Sequence, residues 1–535
     1  MKIPIKEMPG LSQLTRDYLS HLHRIEKYFS ADFRNWNEYE LLVKKIHPVP
    51  RPYMEDLIAL LIEQNNIFKC GPQTLQNIDQ LSNRNALVVA TGQQVGLFTG
   101  PLYTVYKALT TIKLAQELEQ RLHLPVLPLF YLVSEDHDFV EVQWAGVVDK
   151  SNHFADIRYE PSERHDRMPV SQIILDESIN EKIDSFAEMM PDTEFKKDIF
   201  ASLKACYQPG TAFHTAFARW FQKLFSRYGI ILFDSADVRY KKYVQHIFEK
   251  ELAENVTAKC LQKTNAELMR QGYHAQIPVH NDRPGLFILQ NGRHSLQREG
   301  GKFRNMQSGE LFDVNALLQQ TEKLSPKAVL RPIVEDALFP TIAYVGGPGE
   351  IAYWAQLKDV YKAFDLPMPI VFPRAGFTLI EAKVNRHLKK FGLTPLDFIT
   401  NEKTALANIS RSMIPADLER KIQDIRNQLQ NDLPCLGDEI AAIDPTLKKA
   451  FTKTEQSLIH QFNILEHKVS NALRQKQSIL NNQFLSISEN LKPEETLQER
   501  KLNIIPFLAK YDWTLLEKLF RAIHVNDYNH QLLEL

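Results

Sequence analysis

A chain of 535 residues, 44% of them hydrophobic, is too long for one core and should divide into about two to four structural units. Lysine plus arginine (64) nearly balance aspartate plus glutamate (65), which excludes overall attraction to nucleic acid or an anionic membrane, so neither is expected as a partner. The four cysteines, Cys70, Cys206, Cys260 and Cys435, are widely spaced without a CxxC pair, which argues against a disulfide framework or structural zinc and fits a reducing cytoplasm.

The N-terminal segment mixes charges with isolated apolar residues and lacks the apolar stretch of a secretory signal, so export is not expected. The first ~80 residues read as mainly helical, with amphipathic spacing over Met54 to Ile67. Asn85 to Ala90 reads as a strand, TGQQVGLFTGP as a glycine-bearing loop, and Leu102 to Gln120 as a helix. Leu124 to Val133 is about half the length of a membrane helix and is interrupted by prolines, so it reads as a strand buried on both faces. These pieces make a βαβ unit. A further strand is expected over Tyr228 to Ser235. Thr341 to Val345 predicts another, followed by a glycine turn, helical spacing over Glu350 to Phe364, and a strand over Met368 to Phe372. The alternation predicts an α/β fold: a Rossmann-like parallel sheet with helices on both faces.

The core is expected in three pieces, residues 1–150, 226–250 and 326–385, separated by insertions at 151–225 and 251–325. The second insertion contains a hairpin turning at Asn291-Gly292. From Leu418 an apolar stripe runs through Ile422, Ile425, Leu429, Leu433, Leu436, Ile440 and Ile443, with Pro434 set to kink or break the helix. Asp444 offers an N-cap with Pro445 after it, and a second stripe from Leu447 to Leu491, including Val469 and Leu473, marks a helix of roughly 65 Å. The pair predicts an antiparallel coiled coil within 386–492, and 493–535 is expected to return to the core.

Gly92, Gly96 and Gly100 lie between a strand and a helix, where backbone N–H groups can receive a phosphate or carboxylate, or where glycines merely make a tight turn. Gln93, Gln94 and Thr99 add side-chain donors. Gly346, Gly347, Gly349 and Glu350 repeat this logic at a second turn, which is either a ligand cradle or a strained connection. Glu135, Asp136, His137 and Asp138 follow a buried strand. In extended geometry Glu135 and His137 share a side, and the cluster could deprotonate an amine, orient a substrate or hold a hard cation. The bland alternative is a solvated capped loop, and the group is too small and too close to specify zinc, so no metal site is assigned. Lys107, Arg331 and Arg374 either hold phosphate or make salt bridges. Tyr103, Tyr106, Tyr344, Tyr353 and Trp354 either stack on an adenine or sugar or pack the core.

Together, TGQQVGLFTGPLYTVYK, FYLVSEDHD and RPIVEDALFPTIAYVGGPGEIAYWAQLK resemble the cysteine-adding (BshC) family of bacillithiol biosynthesis, in order and at similar spacing over nearly the whole chain. The resemblance implies addition of L-cysteine to glucosaminyl-malate by amide formation, with ATP as activator and Mg2+ beside it. It also implies a core similar to class I aminoacyl-tRNA synthetases and nucleotidyltransferases, two connecting insertions, and a coiled coil supporting a homodimer. Neither a HIGH-like nor a KMSKS-like signature is present. The residues alone leave open a ligase or nucleotidyltransferase acting on another small acid, or a nucleotide-binding coiled-coil scaffold.

Overall fold

The computed structural model describes residues 1–401, 405 and 416–535, without the side chains of residues 416, 418, 419, 423, 466, 467 and 469–477. Leu418, Val469 and Leu473 of the expected apolar stripes therefore lie outside the described side chains, and 402–404 and 406–415 of the expected 386–492 segment lie outside the described residues. The contacts divide the chain into two units. One comprises Met1–Lys150, Phe154–Leu379 and Pro493–Leu535, the other Ser151–His153 and Ile380–Lys492.

The first unit is built on five parallel strands. We label the elements that frame the site: β1 (Leu87–Gln93), α1 (Leu102–Leu122), β2 (Val126–Leu132), β3 (Ile231–Asp234), α2 (Arg331–Leu338), β4 (Thr341–Gly346), α3 (Pro348–Trp354) and β5 (Ile370–Pro373). The spatial order is β5-β4-β1-β2-β3, every neighbouring pair parallel, with Ala90 opposite Tyr344 on one side and Leu129 on the other. Continuous apolar runs form these strands because both faces are covered. In β2, Leu129 and Tyr131 enter one hydrophobic core while Phe130 and Leu132 enter the other. The helical spacing expected over Glu350 to Phe364 resolves into two short helices, α3 and Lys358–Ala363.

The chain before β1 is mainly helical. Between β2 and β3 lie a hairpin, Trp144–Val148 with Phe154–Arg158, and helices Ser178–Glu188, Lys196–Cys206 and Phe213–Phe225. Between β3 and β4, helices Gln245–Glu254 and Val256–Arg270 precede a five-stranded antiparallel sheet. Its hairpin turns at Asn291 and Gly292, whose φ values of 51° and 124° need the left-handed backbone that asparagine and glycine tolerate.

The loop from Gly96 to Gly100 is buried. Phe98 and Thr99 carry positive φ, and a β-carbon at Gly96 would come within 2.9 Å of the Gly100 α-carbon. Such a backbone persists only where its surroundings over-determine it. Tyr207 Oη accepts the Phe98 N–H at 2.9 Å, and the fully buried Asn503 donates Nδ2 to the carbonyls of Phe98 (2.9 Å) and Gly100 (2.8 Å). Its Oδ1 accepts the Ile505 N–H at 2.9 Å.

In the second unit, helices α4 (Ala416–Ile443) and α5 (Leu447–Leu491) are joined by residues 444–446. Asp444 Oδ1 accepts from the N–H and hydroxyl of Thr446, and the helix N-cap is Thr446, two residues later than the expected Asp444 cap. Pro434 sits inside α4, which continues to Ile443 and is not broken there. The two helices approach closely at Gly437, where a β-carbon would come within 2.7 Å of the Phe451 ring.

Replacing Asn503 with alanine orphans two buried carbonyls and one N–H. Urea denaturation of Asn503→Ala is expected to show a loss of about 3 kcal/mol, from the cost of unsatisfied buried polar groups.

Candidate active site

β1 and β4 are neighbours, but the chain leaves β1 for β2 on one side and later returns to β4 on the other. The loops beyond two such strands part, and a crevice opens outside their carboxyl ends. A cavity of about 420 Å³ lies there. Gly92, Gln93 and Gln94 reach it from the end of β1, Tyr103 and Lys107 from α1, and Arg331 and Glu335 from α2. Gly347, Gly349, Glu350 and Tyr353 border it after β4, and Arg374 borders it after β5.

Lys107 is the hub. Its side chain is 2% exposed, and Nζ meets Gly92 O at 2.7 Å, Gln93 Oε1 at 3.1 Å and Glu350 Oε2 at 2.5 Å. An ammonium has three donors, so these partners satisfy it completely. Burial pushes its pKa below the usual lysine range, with Glu350 opposing. Glu350 also accepts the Gly347 N–H at 2.8 Å and the Tyr344 hydroxyl at 2.7 Å. The two glycine segments are thereby stitched together.

Arg374 is occupied as well. It donates to both carboxylate oxygens of buried Glu499, at 2.5 and 3.0 Å, and to Ala375 O at 3.0 Å. Burial opposes the Glu499 charge, yet Arg374 outweighs it and holds that carboxyl low.

The sequence cluster 135–138 comes apart, because the chain leaves the sheet at Leu132 and never presents an extended alternation. Glu135 is buried away from the cavity, 2.5 Å from the Lys241 ammonium and accepting the Ser325 hydroxyl at 2.7 Å. Asp136 lines the cavity, accepting from Gln94 at 2.9 Å and Arg293 at 3.3 Å. Burial disfavours its charge, but Arg293, Arg331 and Gln94 prevail and hold its pKa low. His137 turns edge-on to Phe287, and burial followed by Arg293 lowers its pKa. Asp138 is exposed at the start of a short helix, Phe139–Val142.

Gly96, Thr99 and Gly100 border a separate space of about 20 Å³ together with Gln93, Gln94 and Tyr103. Tyr106 is fully buried against Phe377, and Trp354 is fully buried against Tyr344 and Tyr361. Gly346 closes β4 and its carbonyl accepts the Arg374 N–H at 2.9 Å.

Arg331 stood among the candidate cations. Arg500, Glu335 and Gln276 were missed, since nothing local in sequence marks them. Arg331 and Arg500 line the cavity, and no side-chain hydrogen bond or ion pair involves either among the described residues. Glu335, 6% exposed, is pushed well above the usual carboxylate range by burial, with Arg331 opposing. Its neighbour Asp336 turns away to the Tyr361 hydroxyl, and burial pushes it up to about 7. Among the described residues, no group of three or more His, Cys, Asp or Glu could hold a metal ion, and no helix is long and apolar enough to cross a membrane.

Sheet order and cavity define a Rossmann-like α/β protein with a charged cavity at its switch point. Residues 1–375 match the family described as "Bacillithiol biosynthesis BshC, N-terminal Rossmann-like domain", and residues 377–535 match "Bacillithiol biosynthesis BshC, C-terminal coiled-coil domain". The chain belongs to the BshC family. Relatives named "Putative cysteine ligase BshC" include one from Salinibacter ruber, 33% identical over 99% of this chain and 98% of its own. Another, from Chlorobaculum tepidum, is 32% identical over 96% and 95%. Among solved structures, a "putative arginyl t-RNA synthetase" from Campylobacter jejuni is 9% identical, covering 89% of this chain and 100% of its own; its TM-score of 0.23 carries no argument.

A charge-assisted hydrogen bond contributes about 1.5–3 kcal/mol, or on the order of 10- to 100-fold in affinity. Calorimetric titration with malate is expected to show a loss of that size in Arg331→Gln.

Proposed function

We propose that the protein joins the carboxyl of L-cysteine to the amine of glucosaminyl-malate, the last step of bacillithiol biosynthesis. The observation that carries this reading is the switch-point cavity, where two guanidiniums that make no hydrogen bond or ion pair among the described residues stand beside a buried acid, in a chain of the BshC family. A carboxylate in water does not condense with an amine until its oxygen becomes a leaving group, and ATP with Mg2+ supplies that activation.

The residues suit such a ligand set. Arg331 and Arg500 have donors to spare for carboxylate or phosphate oxygens, and guanidinium geometry favours both. Tyr103 and Tyr353 offer faces on which a base or sugar can rest. Lys107 and Arg374 add positive potential from behind while keeping their own partners. Asp136 gives the opposite wall an ionised carboxylate that can orient an amine or hydroxyl.

The segments between β2 and β3 and between β3 and β4 serve as the connecting insertions of a synthetase-like core. The α4–α5 pair forms an antiparallel coiled coil. Ile425, Leu436, Leu458 and Leu465 are exposed on it, which supports its use in a homodimer. The enzyme works in the cytoplasm.

Mass-spectrometric assay of the purified protein with cysteine, glucosaminyl-malate, ATP and magnesium is expected to show the amide product, and omission of any one component to abolish it. Product formed without ATP would contradict the activation step.

A further inference from the structure

Three carboxylates line the cavity: Asp136, Glu335 and Glu350. Two are committed. Asp136 is held by Gln94, Arg293 and the His137 N–H, and Glu350 by Lys107, Tyr344 and the Gly347 N–H. A carboxylate whose oxygens are so engaged by donors is a weak base. Glu335 differs, since its side chain accepts no hydrogen bond from any described residue. It lies one helical turn after Arg331 on α2, so both side chains point into the same space without forming an ion pair.

We propose that Glu335 takes the proton from the attacking amine, an assignment that rests on the amide-forming reading above. The amine nitrogen forms its bond to the activated cysteinyl carbon. The bond from that carbon to the activating oxygen breaks, and its electron pair leaves with the phosphate or nucleotide anion. The proton shed by the nitrogen passes to the Glu335 carboxylate. Arg500, which lines the same cavity, is placed to hold the departing anion while Arg331 keeps the malate carboxylates.

The surroundings favour this role. Burial disfavours the Glu335 charge and raises its proton affinity toward that of an amine, which strengthens its ionised form as a base. Arg331 and, more weakly, Lys107 on α1 oppose the shift, while Asp336 on α2 and Glu350 on α3 reinforce it. Tyr131 of β2, Tyr344 of β4, Tyr353 of α3 and Tyr240 also face this carboxyl, and all four have pKa values raised above the usual tyrosine range, so they stay neutral. The sign follows: activity falls as pH drops and Glu335 takes up its proton.

The test measures product formation against pH for the full-length wild type, Glu335→Gln and Glu335→Asp. In wild type, kcat/KM is expected to decline on the acid side. Glu335→Gln should lower kcat by about 10²- to 10⁴-fold and lose that acid limb, with KM for glucosaminyl-malate little changed. Glu335→Asp should keep the limb at a reduced rate, and it carries the test if the glutamine variant does not fold. Wild-type kcat in Glu335→Gln, or a lower kcat with the limb intact, overturns the assignment alone. Wild-type protein that forms no amide at any pH overturns the amide-forming reading and this assignment with it.

Discussion

The buried contact between Lys107 and Glu350 organises the rest of the site. Glycine-rich turns at strand ends are pliable, and two of them at a switch point would have no reason to keep a fixed separation. Here one ammonium takes Gly92 O and Gln93 Oε1 from the end of β1, just before the first turn, and Glu350 from the helix start after the second. Removing the Glu350 charge would strand the Lys107 ammonium in a place nearly closed to water, which is costly. The tie sets the width of the cavity mouth and consumes the cation that a strand-loop-helix motif would ordinarily offer to a phosphate.

That use of Lys107, repeated by Arg374 with Glu499, commits both cations to the frame. Frame cations are paired and buried, whereas the cavity cations Arg331 and Arg500 make no ion pair among the described residues. The acids divide similarly: Glu350 and Glu499 hold the frame, Asp136 stays ionised among donors, and Glu335 is held toward its neutral form. Acids of opposite tendency within one pocket can support both orientation and proton transfer.

The sheet was legible where composition alone decides. Leu124 to Val133 read as a strand because an unbroken apolar run needs two covered faces, and β2 spans Val126–Leu132. β1 was cut short at Ala90 in sequence because Thr91, Gly92 and Gln93 look like turn residues. In the fold they remain paired with Phe130, Tyr131 and Leu132, and Thr91 Oγ1 donates to Val345 O at 2.7 Å. Within the site, helical phase separated neighbours that look equivalent on paper. Tyr103 and Lys107 share the cavity face of α1 while Tyr106 points into the core, and Tyr353 reaches the cavity while Trp354 does not. The saturation of Lys107 could not be read locally, because Glu350 lies far along the chain, and the same holds for Glu499 and Arg500 in the C-terminal segment. The density of charge in SEDHD drew attention to four residues of which Asp136 alone lines the cavity.

On this proposal Lys107 fastens the end of β1 to the turn after β4, and ligand anions fall to Arg331 and Arg500. The most direct measurement is a crystal structure with glucosaminyl-malate bound. The ligand is expected in the switch-point cavity with its carboxylates on Arg331 and the Lys107–Glu350 contact intact. Density showing Lys107 swung from Glu350 onto the ligand, with Arg331 untouched, would contradict it.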